Sequence, residues 1–286
     1  MNWTDIADAL FGGAAQYGEI LLLVQNSVWA GAVLGVVGGL VGVFVMQRDM
    51  AFAVHGISEL SFAGAAAALL LGVDVVTGSI VGSIVAAGLI GWLGARARDR
   101  NSIIGVLMPF GLGLGILFLS LYTGRSANRF SLLTGQIVSV QSGQLGVLIV
   151  INALVLLGLL VIWRPLRFDS LDPQSAAARG VPTRAVSFVF MLLLGLIIAV
   201  AVHIIGALLV LALLVTPAAA AMRVSTGPVA VPLLAAGFGV VSAVGGILLA
   251  IAGTLPVSPY ITTISFAIYL VCRLVGARRD RVTRAA

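Results

Sequence analysis

The sequence predicts an all-α fold, a polytopic helical membrane protein of eight or nine spans with nine favoured, and three observations carry that prediction. Hydrophobic residues are 60% of the 286, charged residues 9%, and the mean hydropathy is +1.18. Apolar runs of about 20 residues, the length a helix needs to cross a bilayer, recur along the whole chain. The basic charges gather at the ends of those runs and are all arginine, the chain containing no lysine. The net charge of +6 therefore reads as an orientation signal, and no nucleic acid is expected as a partner. Cys272 is the single cysteine, which excludes an internal disulfide and any multi-thiolate metal site. The stretch MNWTDIADALF is acidic where a cleavable signal needs basic residues, so it is expected to be retained.

In chain order, residues 1–17 form an amphipathic segment, with Trp3, Ile6, Leu10 and Phe11 apolar, placed at the membrane surface. The first span runs from Ile20 to Met46 and carries Gly31, Gly35 and Gly39 as small-xxx-small steps for close helix packing. After the tight loop Gln47–Arg48–Asp49 comes a second span, Ala51 to Leu71, and a third, Val75 to Ala95, ending in Arg96, Arg98 and Arg100. The fourth, Ile103 to Tyr122, holds Pro109, which removes a backbone bond and should kink it. Its Gly111, Gly113 and Gly115 are no nucleotide fingerprint, because no strand precedes them. A polar connection covers 123–143, and a fifth span runs from Leu145 to Trp163.

The apolar stretch from Ala185 to Met222, interrupted near His203 and Gly206, reads as two spans or as one span and a short re-entrant helix. Two more follow, Val229 to Gly253 and Tyr260 to Val275, before a basic tail over 277–286. Arg48, Arg96–Arg100, the loop 164–184, Arg223 and the tail fall on one side, which the positive-inside rule makes cytoplasmic. The N-terminus then lies outside and the C-terminus inside; Arg125 and Arg129 weaken this count without reversing it.

The chemistry concentrates in the second span, where His55 and Glu59 stand four residues apart. On a helix that spacing puts both on one face, roughly 6 Å apart at Cβ. A carboxylate inside a bilayer costs about 2.5–3.5 kcal/mol on insertion scales, so it normally faces a cavity or a partner. An imidazole and a carboxylate on one face can hold a divalent cation. The alternative is a self-satisfied His–Glu hydrogen bond that pins packing, and the ion-pathway reading is preferred because intramembrane ionisable groups default to function. Ser58 could add a hydroxyl or simply bond nearby backbone, which is favoured. His203 is a second candidate contact at the outer mouth, weighed against a bond to backbone freed by the local break.

The loop 164–184 has its own design. Asp172 suits an N-cap, Pro173 the first helical position and Gly180 the C′ position. Between them Gln174–Arg179, with Ala176 and Ala177, makes barely two turns outside the membrane, the kind of short helix a motor subunit could grip. The bland reading is an ordered loop.

These pieces resemble a family. Val202-HIIGALLVLALLVTPAAAAM-Arg223, Gly42-VFVMQRDMAF, Asn101-SIIGVLMPFGLGLGILFLS and Gly135-QIVSV are similar to the permease subunits of ATP-binding-cassette importers for zinc, manganese or iron. The resemblance covers nearly the whole length and implies one permease domain over 1–286 in a prokaryotic cell membrane. It implies that the Phe168–Pro182 loop, through Asp172, Pro173, Ala176, Ala177, Arg179 and Gly180, docks on the ATPase. One departure falls at the pair. After Met50–Ala51–Phe52 the family usually has Asp, then His four residues on, then an apolar-Pro-Gly ending. Here His55 precedes Glu59, and Ala63 stands before Gly64.

A chain without lysine cannot build a Walker A loop, and no nucleophile–base pair or H-E-x-x-H spacing occurs. The chain is therefore not expected to be an enzyme, and hydrolysis belongs to a separate ATPase subunit. The expected partners are that ATPase, an extracytoplasmic metal-binding protein, membrane lipid and a second copy of the chain. Two copies about a two-fold would supply His₂Glu₂, suited to Zn²⁺ and tolerable for Mn²⁺ or Fe²⁺. No permanently bound cofactor is expected; the metal, Zn²⁺ or Mn²⁺, is cargo. Rival readings are a secondary cation carrier or channel with Glu59 as relay, and a permease for cobalamin or siderophores.

Overall fold

The computed structural model describes residues 21, 23–93, 97–124, 132, 140–207, 209–251 and 257–285. The described regular structure is entirely helical. In order the helices are α1 (Gln25–Gln47), α2 (Ala51–Leu71), α3 (Val75–Leu93), α4 (Ala97–Leu121), α5 (Ser142–Leu171), α6 (Pro173–Ala178), α7 (Thr183–Ile205), α8 (Val210–Leu214), α9 (Thr216–Val224), α10 (Ala230–Ile251) and α11 (Val257–Ala285). Among the described residues eight helices are long and apolar enough to cross a membrane.

Eight is the lower of the two expected counts. The stretch 185–222 holds one long helix and a broken pair, where the sequence favoured two full spans. Gly206 ends α7 at φ +85° and ψ 153°, donating to Val202 O at 2.9 Å. A second break at Val215 follows from Pro217, which has no N–H to offer Leu213 O. Ser265 Oγ donates to Ala212 O at 3.1 Å, so α11 satisfies a carbonyl beside that break.

Two other boundaries move. Residues 164–171, assigned to the loop, continue α5, because Leu166 and Asp169 are buried and hold the extra turns in place across Pro165. The tail is helical to Ala285 as part of α11. Pro109 sits inside α4, which remains helical on both sides of it. The segment 1–17, the Gly135-QIVSV motif and most of the 123–143 connection lie outside the described residues.

The chain clusters into two compact units. Unit 1 takes residues 1–43, 137–149 and 212–286. Here α1 meets α10 antiparallel through a backbone-to-backbone approach, a β-carbon at Gly35 standing 2.6 Å from the Gly239 carbonyl carbon. The small-xxx-small steps read from the sequence thus serve close helix contact in this unit. α9 packs on α10 and α11.

Unit 2 takes residues 44–136 and 150–211. α2 is its central helix, packed on α3, α4 and α7. It runs antiparallel to α3, where Gly64 and Gly78 approach so closely that a β-carbon on either would meet the other's carbonyl oxygen. Ser61 Oγ donates across the same seam to Ser79 O at 3.1 Å. Such small-residue seams hold helices together where lipid offers no hydrophobic drive.

Candidate functional site

The turn from α1 into α2 sets the register of the pair. Asp49 adopts φ +53°, while its N–H reaches Met46 O at 3.3 Å and Met50 N–H reaches Val45 O at 2.9 Å. These are the two bonds of a Schellman ending, with Asp49 in the left-handed position glycine usually takes. Ala51 then opens α2, which is buried along Ala53, Val54 and Gly56–Ala63.

His55 and Glu59 share one face of α2, as their spacing predicts. His55 Nε2 stands 3.7 Å from Glu59 Oε1, with side-chain exposures of 26% and 5%. That separation permits electrostatic attraction but exceeds a hydrogen bond, so the two are not closed upon one another. His55 Nδ1 is buried and has no hydrogen-bond partner among the described residues. The pair therefore combines a nearly buried carboxylate with an imidazole whose donor capacity is unfilled. Ser58 behaves as the local reading expected, its Oγ donating to His55 O at 2.8 Å.

No further metal-binding side chains gather around the pair among the described residues. Among the described residues no group of three or more His, Cys, Asp or Glu could hold a metal ion. His203 lies half-buried in the last turn of α7, at the break the sequence located, within electrostatic range of Asp74. Asp74 itself accepts from Thr77 N and Thr77 Oγ1, both at 2.9 Å.

The short helix α6 is capped as its residues require. Asp172 Oδ1 accepts from Gln174 N at 3.1 Å and Ser175 N at 3.0 Å. Its other oxygen accepts the Ser175 hydroxyl. The Ser175 hydroxyl bond, aided by the two backbone donors, holds the Asp172 carboxyl below the usual carboxylate range. Pro173 occupies the first turn, and Gly180 at φ +81° completes a second Schellman ending through Gly180 N to Ala177 O and Val181 N to Ala176 O. Ala176 is fully buried, whereas Ala177 is exposed. Arg179 stacks over Phe168 at 5.7 Å.

Two participants escaped the sequence. Gly111 of α4 lies against the Glu59 backbone, a β-carbon there standing 3.0 Å from Glu59 C; nothing local separates it from its neighbouring glycines. Arg48 pairs with Asp169, 121 residues away, at 2.6 Å. Each looked like an ordinary loop charge, and no short-range pattern announces their meeting.

A sequence model described as the ABC 3 transport family matches residues 21–276. The manganese transport system membrane protein MntC of Halalkalibacterium halodurans is 31% identical over 225 residues, covering 78% of this chain and 77% of that protein. The manganese import system permease protein ScaB of Streptococcus parasanguinis is 27% identical over 259 residues, covering 90% and 92%. Among solved structures, PsaBC from Streptococcus pneumoniae in complex with Fab superposes with a TM-score of 0.80 at 27% identity, covering 91% of this chain and 95% of that one. Match length, fold and apolar helices agree, and the chain belongs to the ABC 3 transport family, as a non-enzymatic, multi-pass permease of a prokaryotic plasma membrane.

Proposed function

We propose that this chain forms the membrane path of an ATP-driven manganese importer, with His55 and Glu59 as a transient cation site. The observation that carries this reading is the pair itself: a carboxylate buried in a membrane helix beside an imidazole whose Nδ1 has no partner among the described residues. Mixed imidazole and carboxylate donors suit Zn²⁺ and are tolerable for Mn²⁺. The choice of Mn²⁺ rests on the manganese transport named for the relatives. Two ligands hold a cation weakly, as a translocation step requires, since conduction needs binding that permits release. A second copy about a two-fold would bring a second pair and complete His₂Glu₂. ATP hydrolysis belongs to a separate cytoplasmic subunit gripping α6, and an external binding protein delivers the metal.

The test is uptake of radioactive Mn²⁺ and Zn²⁺ into proteoliposomes holding the complex purified with its ATPase, normalised to assembled protein. ATP-dependent Mn²⁺ uptake that collapses in Glu59→Gln, with assembly and basal hydrolysis retained, supports the reading. Normal uptake by Glu59→Gln ends the metal-site claim, and preferential Zn²⁺ uptake replaces the metal. A chain that carries cations without any ATPase would be a secondary carrier.

A further inference from the structure

Arg48 stands in the short link between α1 and α2 and holds both roots of α6. Its Nη1 donates to Asp169 Oδ2 at 2.6 Å and to Ser170 Oγ at 3.4 Å, and its Nη2 donates to Ser187 Oγ. Ser187 Oγ in turn donates to Asp169 Oδ2 at 3.5 Å. Asp169 and Ser170 lie at the end of α5, just before the Asp172 cap, and Ser187 lies in the first turns of α7. One guanidinium fork therefore ties the chain entering α6 to the chain leaving it.

The same arginine is rigidly joined to α2. Its own N–H bonds Phe44 O at 3.0 Å, and the Schellman bonds through Asp49 and Met50 fix the link on either side. His55 follows about one turn into α2. Beside the cluster, Phe44 meets Trp163 edge-on at 4.9 Å and Phe190 at 6.1 Å, so α1, α5 and α7 are also locked by aromatic contact. Stability alone is a weak account of the ion pair. Asp169 is 3% and Arg48 12% exposed, and desolvating two charges offsets much of their attraction. A directional fork does what an apolar contact cannot, which is to keep three segments in one register while they move.

We propose that Arg48 is a positioning residue for transport, carrying displacement of α6 to α2 and so to His55 and Glu59. This rests on the reading of α6 as the ATPase grip and of α2 as the metal-bearing helix. Moving α6 must move Asp169 and Ser187, and through Arg48 the start of α2. Every residue of the cluster belongs to the permease itself.

The experiment measures Mn²⁺ uptake and ATP hydrolysis together, in proteoliposomes of the complex with its ATPase and binding protein. In R48Q and D169N, Mn²⁺ carried per ATP should fall roughly two- to thirtyfold, the range seen for substitutions along coupled elements, while hydrolysis and assembly persist. R48K keeps the charge but loses the fork and should fall between. S187A removes the two Ser187 hydroxyl bonds of the cluster without removing a charge and should give a smaller fall in the same ratio. The exchanged pair R48D with D169R should recover part of it. An unchanged ratio in R48Q and S187A overturns the proposal. So does loss of assembly in every charge variant with a normal ratio in S187A, which would make the cluster a structural brace only. A wild-type complex that shows no ATP-driven uptake overturns the underlying transport reading instead, and does so before any substitution is made.

Discussion

A β-carbon on Gly111 would stand 3.0 Å from the carbonyl carbon of Glu59, so α4 touches α2 at the backbone of the carboxylate itself. Gly111→Ala should force the helices apart at the pair, at an overpacking cost of about 1–3 kcal/mol. Mn²⁺ uptake per assembled complex should drop. Gly113 has nothing within 4 Å of its built β-carbon, and Gly113→Ala should be neutral or gain about 1 kcal/mol of helix propensity. Thermal unfolding and uptake, measured side by side, decide it: indistinguishable variants would mean that the contact is irrelevant.

The pair should behave as one site. His55→Ala and Glu59→Gln should each abolish most uptake, and the double variant should be hardly worse than either, because groups acting together are not additive. Exchanging the order, His55→Asp with Glu59→His, returns both ligand types to the same helix face. It should recover some transport and shift the preference between Mn²⁺ and Zn²⁺. Additive losses, or lost protein with normal uptake by whatever assembles, would reduce the pair to a packing contact.

The docking role of α6 can be separated from its folding. Ala177 is exposed and Ala176 buried, so Ala177→Asp should uncouple uptake from hydrolysis with α6 intact. Ala176→Asp should unseat α6 altogether. Gly180→Pro cannot hold the observed φ of +81°, since proline fixes φ near −65°, and it too should uncouple. Normal uptake in Ala177→Asp and Gly180→Pro, with the ATPase still bound, would remove the docking claim.

The Asp172 cap has a definite pH dependence. Its native pKa is lowered, chiefly by the Ser175 hydroxyl. The cap's contribution is therefore complete above the ordinary carboxylate value of about 3.9 and is lost only as pH falls through the lower native value. Amide exchange at Gln174 and Ser175 should stay protected from neutral pH down to about 4. Loss of protection already near pH 6 would show that the carboxylate does not hold this helix end.

Orientation gives a fifth class of test. The positive-inside rule predicts an N-terminus outside and a C-terminus inside, which needs an odd number of crossings. With eight long helices among the described residues, that orientation would require the broken segment Val210–Val224 to cross as well, although its fifteen residues reach only about 22 Å as helix. Cysteines at Trp3 and Val282, in a Cys272→Ser background, should label from outside and inside respectively. Labelling from one side would refute the ninth crossing.

The sequence by itself determined the class, most of the long helices and the spacing of the pair. Apolar length, arginine placement and the i, i+4 spacing of His55 and Glu59 are local properties, and α2 runs from Ala51 to Leu71 as the pattern predicts. Asp172, Pro173 and Gly180 fixed α6 for the same reason, since caps are made by neighbours in the chain. Only the tertiary structure decided what lies far apart in sequence. It chose Gly111 from its run of glycines because that one faces Glu59. It extended α5 to Leu171 by burying Leu166 and by pairing Asp169 with Arg48. Beside the second break of the 185–222 stretch, it supplied the hydroxyl of Ser265 in α11 as donor to the Ala212 carbonyl. Each of these depends on a partner more than fifty residues away, where hydrophobic period and propensity carry no information.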